Sequence, residues 1–503
     1  MHKNNFFIFL FLSIISFSFV CAQPLDLPKD TSVTTSHEVK INSQTVEYTA
    51  ETGMQTYHDS DGKAKASLYY TYYKRSGIKN VENRPLVFSY NGGPGSASVW
   101  MHLAYTGPRV LKISDEGFPV QPYGVEANPH SILDIADIVY INPVNTGYSR
   151  PIKDKEGKFN KKEFFGVQSD IEYLAQWMNA FVSKHNRWQS PKYLIGESYG
   201  TIRVSGLADE LQNNQWMYIN GVILVSPTEL GNFRNGILGI ANRLPYFTAA
   251  AWYHEKLPQE LQQLSLEKAL KKSETFTENE LVPLLYKGGF KSESTLNKAA
   301  EMMSYYSGIE KNILIEHNLD FSYNNFWKML LKDEGYTIGR LDSRYLGIDK
   351  QVAGSSPDYN AELTAWLQAF TPAINHYIKN ELNFDVPLKY NMFGPVWPWD
   401  RTKNNNTGER LRRAMAQNPS MKVMIQSGYY DGATTYYNAK YTMWHIDPSG
   451  RMTDRFLFKA YESGHMMYLR SEDLKKANED LRNFILNSLP EKGKPIKYSR
   501  DKN

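Results

Sequence analysis

A single cysteine, Cys21, occurs among the 503 residues. One thiol can form neither an internal disulfide nor a paired-cysteine metal site, so size and a buried core must supply stability. There is no His-Glu-x-x-His and no carboxylate loop with metal-binding spacing. No metal and no cofactor is therefore expected. Charge of one sign is also scarce: 57 basic against 53 acidic residues leave a formal net charge of +4. With no basic stripe interleaved with aromatics and no Walker-type loop, a nucleic-acid partner is not expected. Internal repeats and low-complexity tracts are lacking. The apolar run Phe6–Val20 falls short of the ~20 residues that a membrane-spanning helix needs.

That run instead has the layout of a targeting segment. Lys3 precedes it, and Val20-Cys21-Ala22 supplies small residues before Gln23. Residues 1–22 are read as a signal peptide cleaved after Ala22, leaving no stable membrane anchor. The only cysteine would leave with the signal. Export without disulfides points to a periplasmic or secreted protein, in which the Asn405-Asn406-Thr407 sequon has no use.

The chemistry starts at Tyr193-Leu194-Ile195-Gly196-Glu197-Ser198-Tyr199-Gly200. A short apolar run enters Gly-x-Ser-x-Gly, and Val204, Leu207, Ala208 and Leu211 then follow at helical spacing. Strand, tight glycine turn and helix are the setting that exposes a nucleophilic serine. Serine needs an imidazole to take its proton and a carboxylate to orient that imidazole. In doubly wound hydrolases these follow in the order Ser, acid, His, on loops past the last strands. Two apolar runs fit, Lys422–Gln426 leading to Asp431 and Arg455–Ala460 leading to His465. A helix carrying Leu474, Ala477, Leu481, Phe484, Ile485 and Leu489 closes the chain. Earlier, the strand Pro85–Tyr90 runs into Asn91-Gly92-Gly93-Pro94-Gly95, where an oxyanion loop is expected. The amide of the residue after the nucleophile, Tyr199, would be its second donor.

Around these motifs, Glu38–Ala50 and Lys63–Lys74 read as antiparallel strands. Pro85–Tyr90, Ile138–Ile141, Tyr193–Ile195 and Val222–Val225 read as parallel ones, with a helix from about Phe165 to Ser183. The β-then-βαβ order predicts an α/β hydrolase fold, a mixed and mostly parallel sheet flanked by helices. Its first part is 23–230 and its second part 386–503. Between them, 231–385 is expected to be a mainly helical cap insertion over the nucleophile, with helical spacing at Pro258–Lys272, Glu278–Tyr286, Thr295–Met303, Phe326–Leu331 and Leu363–Ile378. Gly339-Arg340-Leu341-Asp342-Ser343-Arg344, inside it, reads as a structural ion-pair segment.

Asn91–Gly95, Asn142-Pro143-Val144-Asn145-Thr146-Gly147-Tyr148-Ser149, Gly196–Gly200, Gly428–Asp431 and Gly464-His465-Met466 together resemble the serine carboxypeptidases in order and spacing, from about Val81 to about Leu489. The resemblance implies a Ser198, Asp431, His465 triad with an oxyanion hole from the amides of Gly93 and Tyr199. It further implies that Asn91, the Gly92 amide and Glu197 hold the C-terminal carboxylate of a peptide substrate. The family's second glutamate is matched here by Tyr105, whose phenol is expected to partner Glu197. Ser89 replaces an aromatic residue, Ser96 a cysteine, and Met467-Tyr468 stands where a proline follows His-Met. Thr201-Ile202-Arg203 looks more like the bacterial branch. The rival readings are an esterase, acyltransferase or other peptidase on the same triad, and a binding protein without catalysis. Residue preference and oligomeric state have no sequence signal.

Overall fold

The strands alternate their side chains between two apolar layers, as a sheet covered on both faces requires. In β4 (Leu86–Tyr90), Leu86, Phe88 and Tyr90 enter one layer and Val87 the other. The same split separates Leu194 from Ile195 in β6 (Lys192–Glu197), and Leu224 from Ile223 in β7 (Gly221–Val225). In the computed structural model the described residues are 30–231, 236–491 and 493–498. The expected signal segment, 1–22, lies outside them.

The sheet begins with β1 (Thr31–Ile41), β2 (Gln44–His58) and β3 (Ala64–Arg75), and also contains β5 (Asp137–Ile141), β8 (Lys422–Gly428) and β9 (Phe456–Tyr461). Its order is β1-β2-β3-β5-β4-β6-β7-β8-β9, antiparallel as far as β5 and parallel beyond it, with the short strand Arg150–Pro151 pairing β3. Parallel register aligns carboxyl ends: Tyr90 lies opposite Gly196, Glu197 opposite Val225, and Val225 opposite Gln426. The loops leaving these ends therefore meet on one edge. Helices α2 (Val167–Lys184), α3 (Tyr199–Asn214) and α8 (Thr407–Gln417) cover one face. The other face carries α1 (Val99–Ala104), α7 (Ala361–His376) and α9 (Ser471–Asn487).

Two sequence expectations change. Glu38–Ala50 is not one strand; it folds back between β1 and β2 at Asn42 and Ser43, whose φ values of 46° and 67° make a two-residue hairpin turn. The partial alternation continues through the turn, and Asn at a left-handed position is its only local mark. The region 231–385 also divides. Helices α4 (Leu244–Tyr253), α5 (Leu266–Phe276) and α6 (Glu293–Ser307) share a core of their own that runs from Ala241 to Ile338. Phe247 stacks on Phe326 there at 4.1 Å. Helix α7 instead buries Trp366 and Phe370 in the sheet-face core, with Phe370 4.8 Å from Trp100. The stretch expected as a helix from Pro258 to Lys272 is split between Gln259–Gln262 and α5.

Candidate active site

Ser198 occupies the turn between β6 and α3 with φ 58° and ψ −125°, a conformation that side chains rarely adopt. The flanking glycines are sterically required. A Cβ on Gly196 would lie 2.2 Å from the Gly200 carbonyl oxygen, and one on Gly200 would lie 2.8 Å from that of Tyr90. The strained turn is tied down by a Ser198 amide bond to the Val225 carbonyl at 3.0 Å. The Ser198 side chain reaches the floor of the cleft and makes no hydrogen bond among the described residues. Ser198 and His465 line this same cleft without a hydrogen bond between them.

Asp431 and His465 are joined. The imidazole Nδ1 lies 2.7 Å from Asp431 Oδ2, and both residues are buried. The other Asp431 oxygen accepts from the amides of Ala433 and Thr434 at 2.8 and 3.0 Å. The Thr434 hydroxyl, 2.7 Å from Asp431 Oδ2, also lies 3.2 Å from His465 Nδ1 and 2.9 Å from the Ser226 carbonyl. A carboxylate acceptor at Nδ1 requires the proton there, which leaves Nε2 as the free base. Burial by itself pushes the imidazole down; the charge and hydrogen bond of Asp431 outweigh it, and His465 sits above its ordinary value. The backbone of His465 is fixed as well, its N–H donating to the Leu341 carbonyl at 2.6 Å.

The Gly-Gly loop abuts the nucleophile turn. A Cβ on Gly92 would lie 2.5 Å from the Tyr199 nitrogen, and Gly93 has φ 105°. Neither the Gly93 nor the Tyr199 amide donates a hydrogen bond among the described residues, so both are open to an anion at the amino end of α3. The loop is braced from two sides. Asn142 Oδ1 accepts from the Ser98 amide at 2.7 Å. Arg203, fully buried and paired with Asp170 at 2.7 Å, donates to the Asn91 carbonyl at 2.7 Å. The sequence offered Arg203 only as part of a family-like tripeptide; a charged residue inside the apolar pattern of α3 was the signal that it serves the interior.

Glu197 is buried beside this loop. Its Oε1 accepts from Asn91 Nδ2 at 2.8 Å, and Asn91 Oδ1 accepts from the Met101 amide at 3.1 Å. The second carboxylate oxygen accepts from the hydroxyl of Tyr468. Tyr105, expected in that role, does not reach Glu197. Its hydroxyl donates to Gln426 Oε1 at 2.6 Å, and its ring stacks on Tyr468 at 4.8 Å. One layer of aromatic ring thus separates Tyr105 from the carboxylate. The phenol sought at Tyr105 comes from Tyr468, at the very place where the sequence lacks its expected proline. Burial raises the Glu197 carboxyl above the ordinary range, opposed by His465 and by the bonds from Tyr468 and Asn91.

Above Ser198 opens a cleft of about 490 Å³. Gly93, Tyr199 and His465 meet Ser198 on its floor; Trp100, Trp366 and Phe393 form an aromatic wall, and Ile202, Leu230, Arg340 and Arg401 lie around the rest. Ser96 receives the Trp100 indole N–H at 2.7 Å. In the Gly339–Arg344 segment, Asp342 and Arg344 form the expected buried ion pair at 2.7 Å, whereas Arg340 faces the cleft.

A family model described as serine carboxypeptidase matches residues 42–449. Among curated proteins, Serine carboxypeptidase-like 13 of Arabidopsis thaliana is 30% identical over 169 residues, 32% of this chain and 36% of that protein. Serine carboxypeptidase-like 8 of the same plant is 27% identical over 170 residues, 33% of this chain and 37% of the relative. The chain thus spans little more than a third of the length of these curated relatives. A solved structure of Kex1(delta)p, a prohormone-processing carboxypeptidase from Saccharomyces cerevisiae, shares the fold with a TM-score of 0.51 at 11% identity, covering 87% of this chain and 91% of that one.

Proposed function

Because the chain belongs to the serine carboxypeptidase family, we propose that it removes C-terminal residues from peptides through an acyl-enzyme formed on Ser198. The observation that carries this reading is the Asp431–His465 pair at 2.7 Å, facing the cleft that holds Ser198 in its strained turn. His465 Nε2 takes the hydroxyl proton while Ser198 Oγ bonds to the scissile carbonyl carbon. The carbonyl oxygen becomes an anion, met by the amides of Gly93 and Tyr199. Collapse breaks the C–N bond, and His465 gives its proton to the departing nitrogen. Water then attacks the ester by the same route, releasing the shortened peptide and restoring Ser198. Asp431 stays an acceptor throughout and stabilises the imidazolium.

The free Gly92 amide, Asn91 and Glu197 would hold the terminal carboxylate of the substrate, with Tyr468 fixing Glu197. Two facing carboxylates repel unless one carries a proton, and the raised Glu197 favours carrying it. Signal cleavage after Ala22, a periplasmic or secreted location and a place in the bacterial branch belong to the same proposal. They are supported by the N-terminal pattern, by Cys21 as the single cysteine and by Thr201-Ile202-Arg203.

A fluorophosphonate probe should label the purified protein, and Ser198→Ala should abolish labelling and lower turnover at least about a thousandfold. Peptides with a free C-terminus should be cleaved well ahead of matched amides and simple esters. Esters hydrolysed without any peptide cleavage would move the assignment to an esterase or acyltransferase. An unlabelled, inert protein would leave a binding role.

A further inference from the structure

Three charged residues lie in the Gly339–Arg344 segment, and only two neutralise each other. Arg344 meets Asp342 in a two-pronged pair at 3.0 and 2.7 Å, both side chains being buried. The Arg340 side chain is exposed to the cleft and makes no hydrogen bond or ion pair among the described residues. The backbone that carries it is fixed on several sides. The Arg340 carbonyl accepts from the amide of Gly432, the neighbour of Asp431, at 3.0 Å. Next along the chain, the Leu341 amide donates to Glu362 at 2.8 Å and the Leu341 carbonyl accepts from the amide of His465 at 2.6 Å. A Cβ on Gly339 would lie 2.3 Å from the Asp342 carbonyl oxygen, so this turn has no slack. A cation is thereby held over the reacting centre on a backbone hydrogen-bonded to the loops of both acid and base.

Nearby carboxylates leave much of its charge open. Asp431 is occupied by His465, Ala433 and Thr434, and Glu197 by Asn91 and Tyr468. Glu362 gives one oxygen to the Leu341 amide and keeps the other without a hydrogen-bond partner; burial raises its carboxyl to about 7, so it offsets Arg340 only through space and in part. Glu229, also in the cleft, has a partner of its own. Arg401, another cleft cation, lies over the Tyr199 ring at 5.8 Å. A guanidinium in a cleft with no hydrogen-bonded anion on it attracts anions, and its planar fork suits a carboxylate best.

We propose that Arg340 selects substrates with an acidic side chain beside the scissile bond, binding an aspartate or glutamate carboxylate there. This rests on the peptidase reading above. Arg340 stands on the acid–base side of the cleft, on a backbone bonded to the loops of Asp431 and His465, and His465 is the group that protonates the departing residue. The released residue is accordingly the position expected to carry the charge.

The test uses the purified full chain and free-acid peptides that differ only as Glu or Gln, at the last position or at the one before it. For the last position, wild type should show kcat/KM about tenfold higher for Glu than for Gln, and the margin should shrink with salt. In Arg340→Gln that ratio should fall toward one, while Arg401→Gln should keep it. A ratio confined to the preceding position and lost in Arg340→Gln would keep the assignment and place the carboxylate on the acyl half. A wild-type ratio at or below one at both positions, with the Gln peptides cleaved, would overturn the proposal alone. So would an equal loss on Glu and Gln peptides in Arg340→Gln, or a ratio that follows Arg401. Labelling of Ser198 with no cleavage of any free-acid peptide would instead overturn the peptidase reading and this proposal together.

Discussion

Asp431 and Glu197 are two buried carboxylates serving one cleft, and they are held in different ways. Asp431 receives two amides and a hydroxyl from its own loop, Ala433 and Thr434, before His465 adds the fourth donor. Glu197 receives two donors, both side chains and both far away in sequence, from Asn91 and Tyr468. Donors brought by its own loop fix the Asp431 oxygens in place as the acceptor on the imidazole Nδ1. A buried carboxyl with two remote donors keeps room for a proton, and burial raises it. The proposed acid–base side is thus held by its own loop, and the proposed anchoring side by distant parts of the chain.

The largest expected effect breaks the locally held half. Asp431→Asn keeps the shape but removes the negative acceptor at His465 Nδ1, so the wrong tautomer dominates. Turnover should fall by about 10⁴-fold at neutral pH, read by single-turnover kinetics, with the fold unchanged by circular dichroism. A loss under tenfold would remove Asp431 from the triad. Next comes the brace beneath the Asn91–Gly95 loop. Arg203→Met strands the Asp170 carboxylate in the core and frees the Asn91 carbonyl. Unfolding free energy in urea should drop by about 3–5 kcal/mol, and an effect under about 1 kcal/mol would show that the pair is dispensable.

The same contrast explains what could be read from residues alone. Asp431, His465 and Ser198 each come just past a short, mostly apolar strand, which is what marked them as candidates, and the strands expected at Pro85–Tyr90, Ile138–Ile141, Tyr193–Ile195 and Val222–Val225 match observed ones to within two residues at each end. The donors to Asp431 from its own loop, Ala433 and Thr434, were not singled out, since amides and a hydroxyl two or three residues on carry no mark of their own. Nor was Tyr468 as the donor to Glu197. Tyr105 and Tyr468 stack face to face within 8° of parallel, and no local pattern tells which phenol points to the carboxylate. Helix α7 was misplaced for a similar reason, since an apolar stripe marks burial but not which core receives it.

A gentler perturbation sharpens the pH contrast. Activity should rise with pH on its acidic side as His465 loses its proton, with that limb above the 6.5 of a free imidazole because Asp431 holds the charge on the ring. KM for free-acid peptides should worsen toward alkaline pH as Glu197 ionises and repels the substrate carboxylate. Tyr468→Phe takes one donor from the ionised form of Glu197, so the neutral form should persist to higher pH and the alkaline rise in KM should move upward. If KM against pH were unchanged, Tyr468 would have no part in anchoring.

The smallest effect is the control for that experiment. Tyr105→Phe keeps the stacked ring beneath Tyr468 and removes only the hydroxyl that Gln426 Oε1 accepts. Gln426 holds its remaining contacts through Nε2, to the Tyr461 hydroxyl at 2.9 Å and the Ala477 carbonyl at 3.2 Å. The buried Gln426 oxygen loses its donor and no charge is uncovered, so thermal unfolding should reveal a cost of about 1–3 kcal/mol. The pH dependence of KM should match wild type. A shift as large as that of Tyr468→Phe would mean that the two phenols act on Glu197 as one unit through their stacked rings, and the separation of a structural tyrosine from an anchoring one would fail.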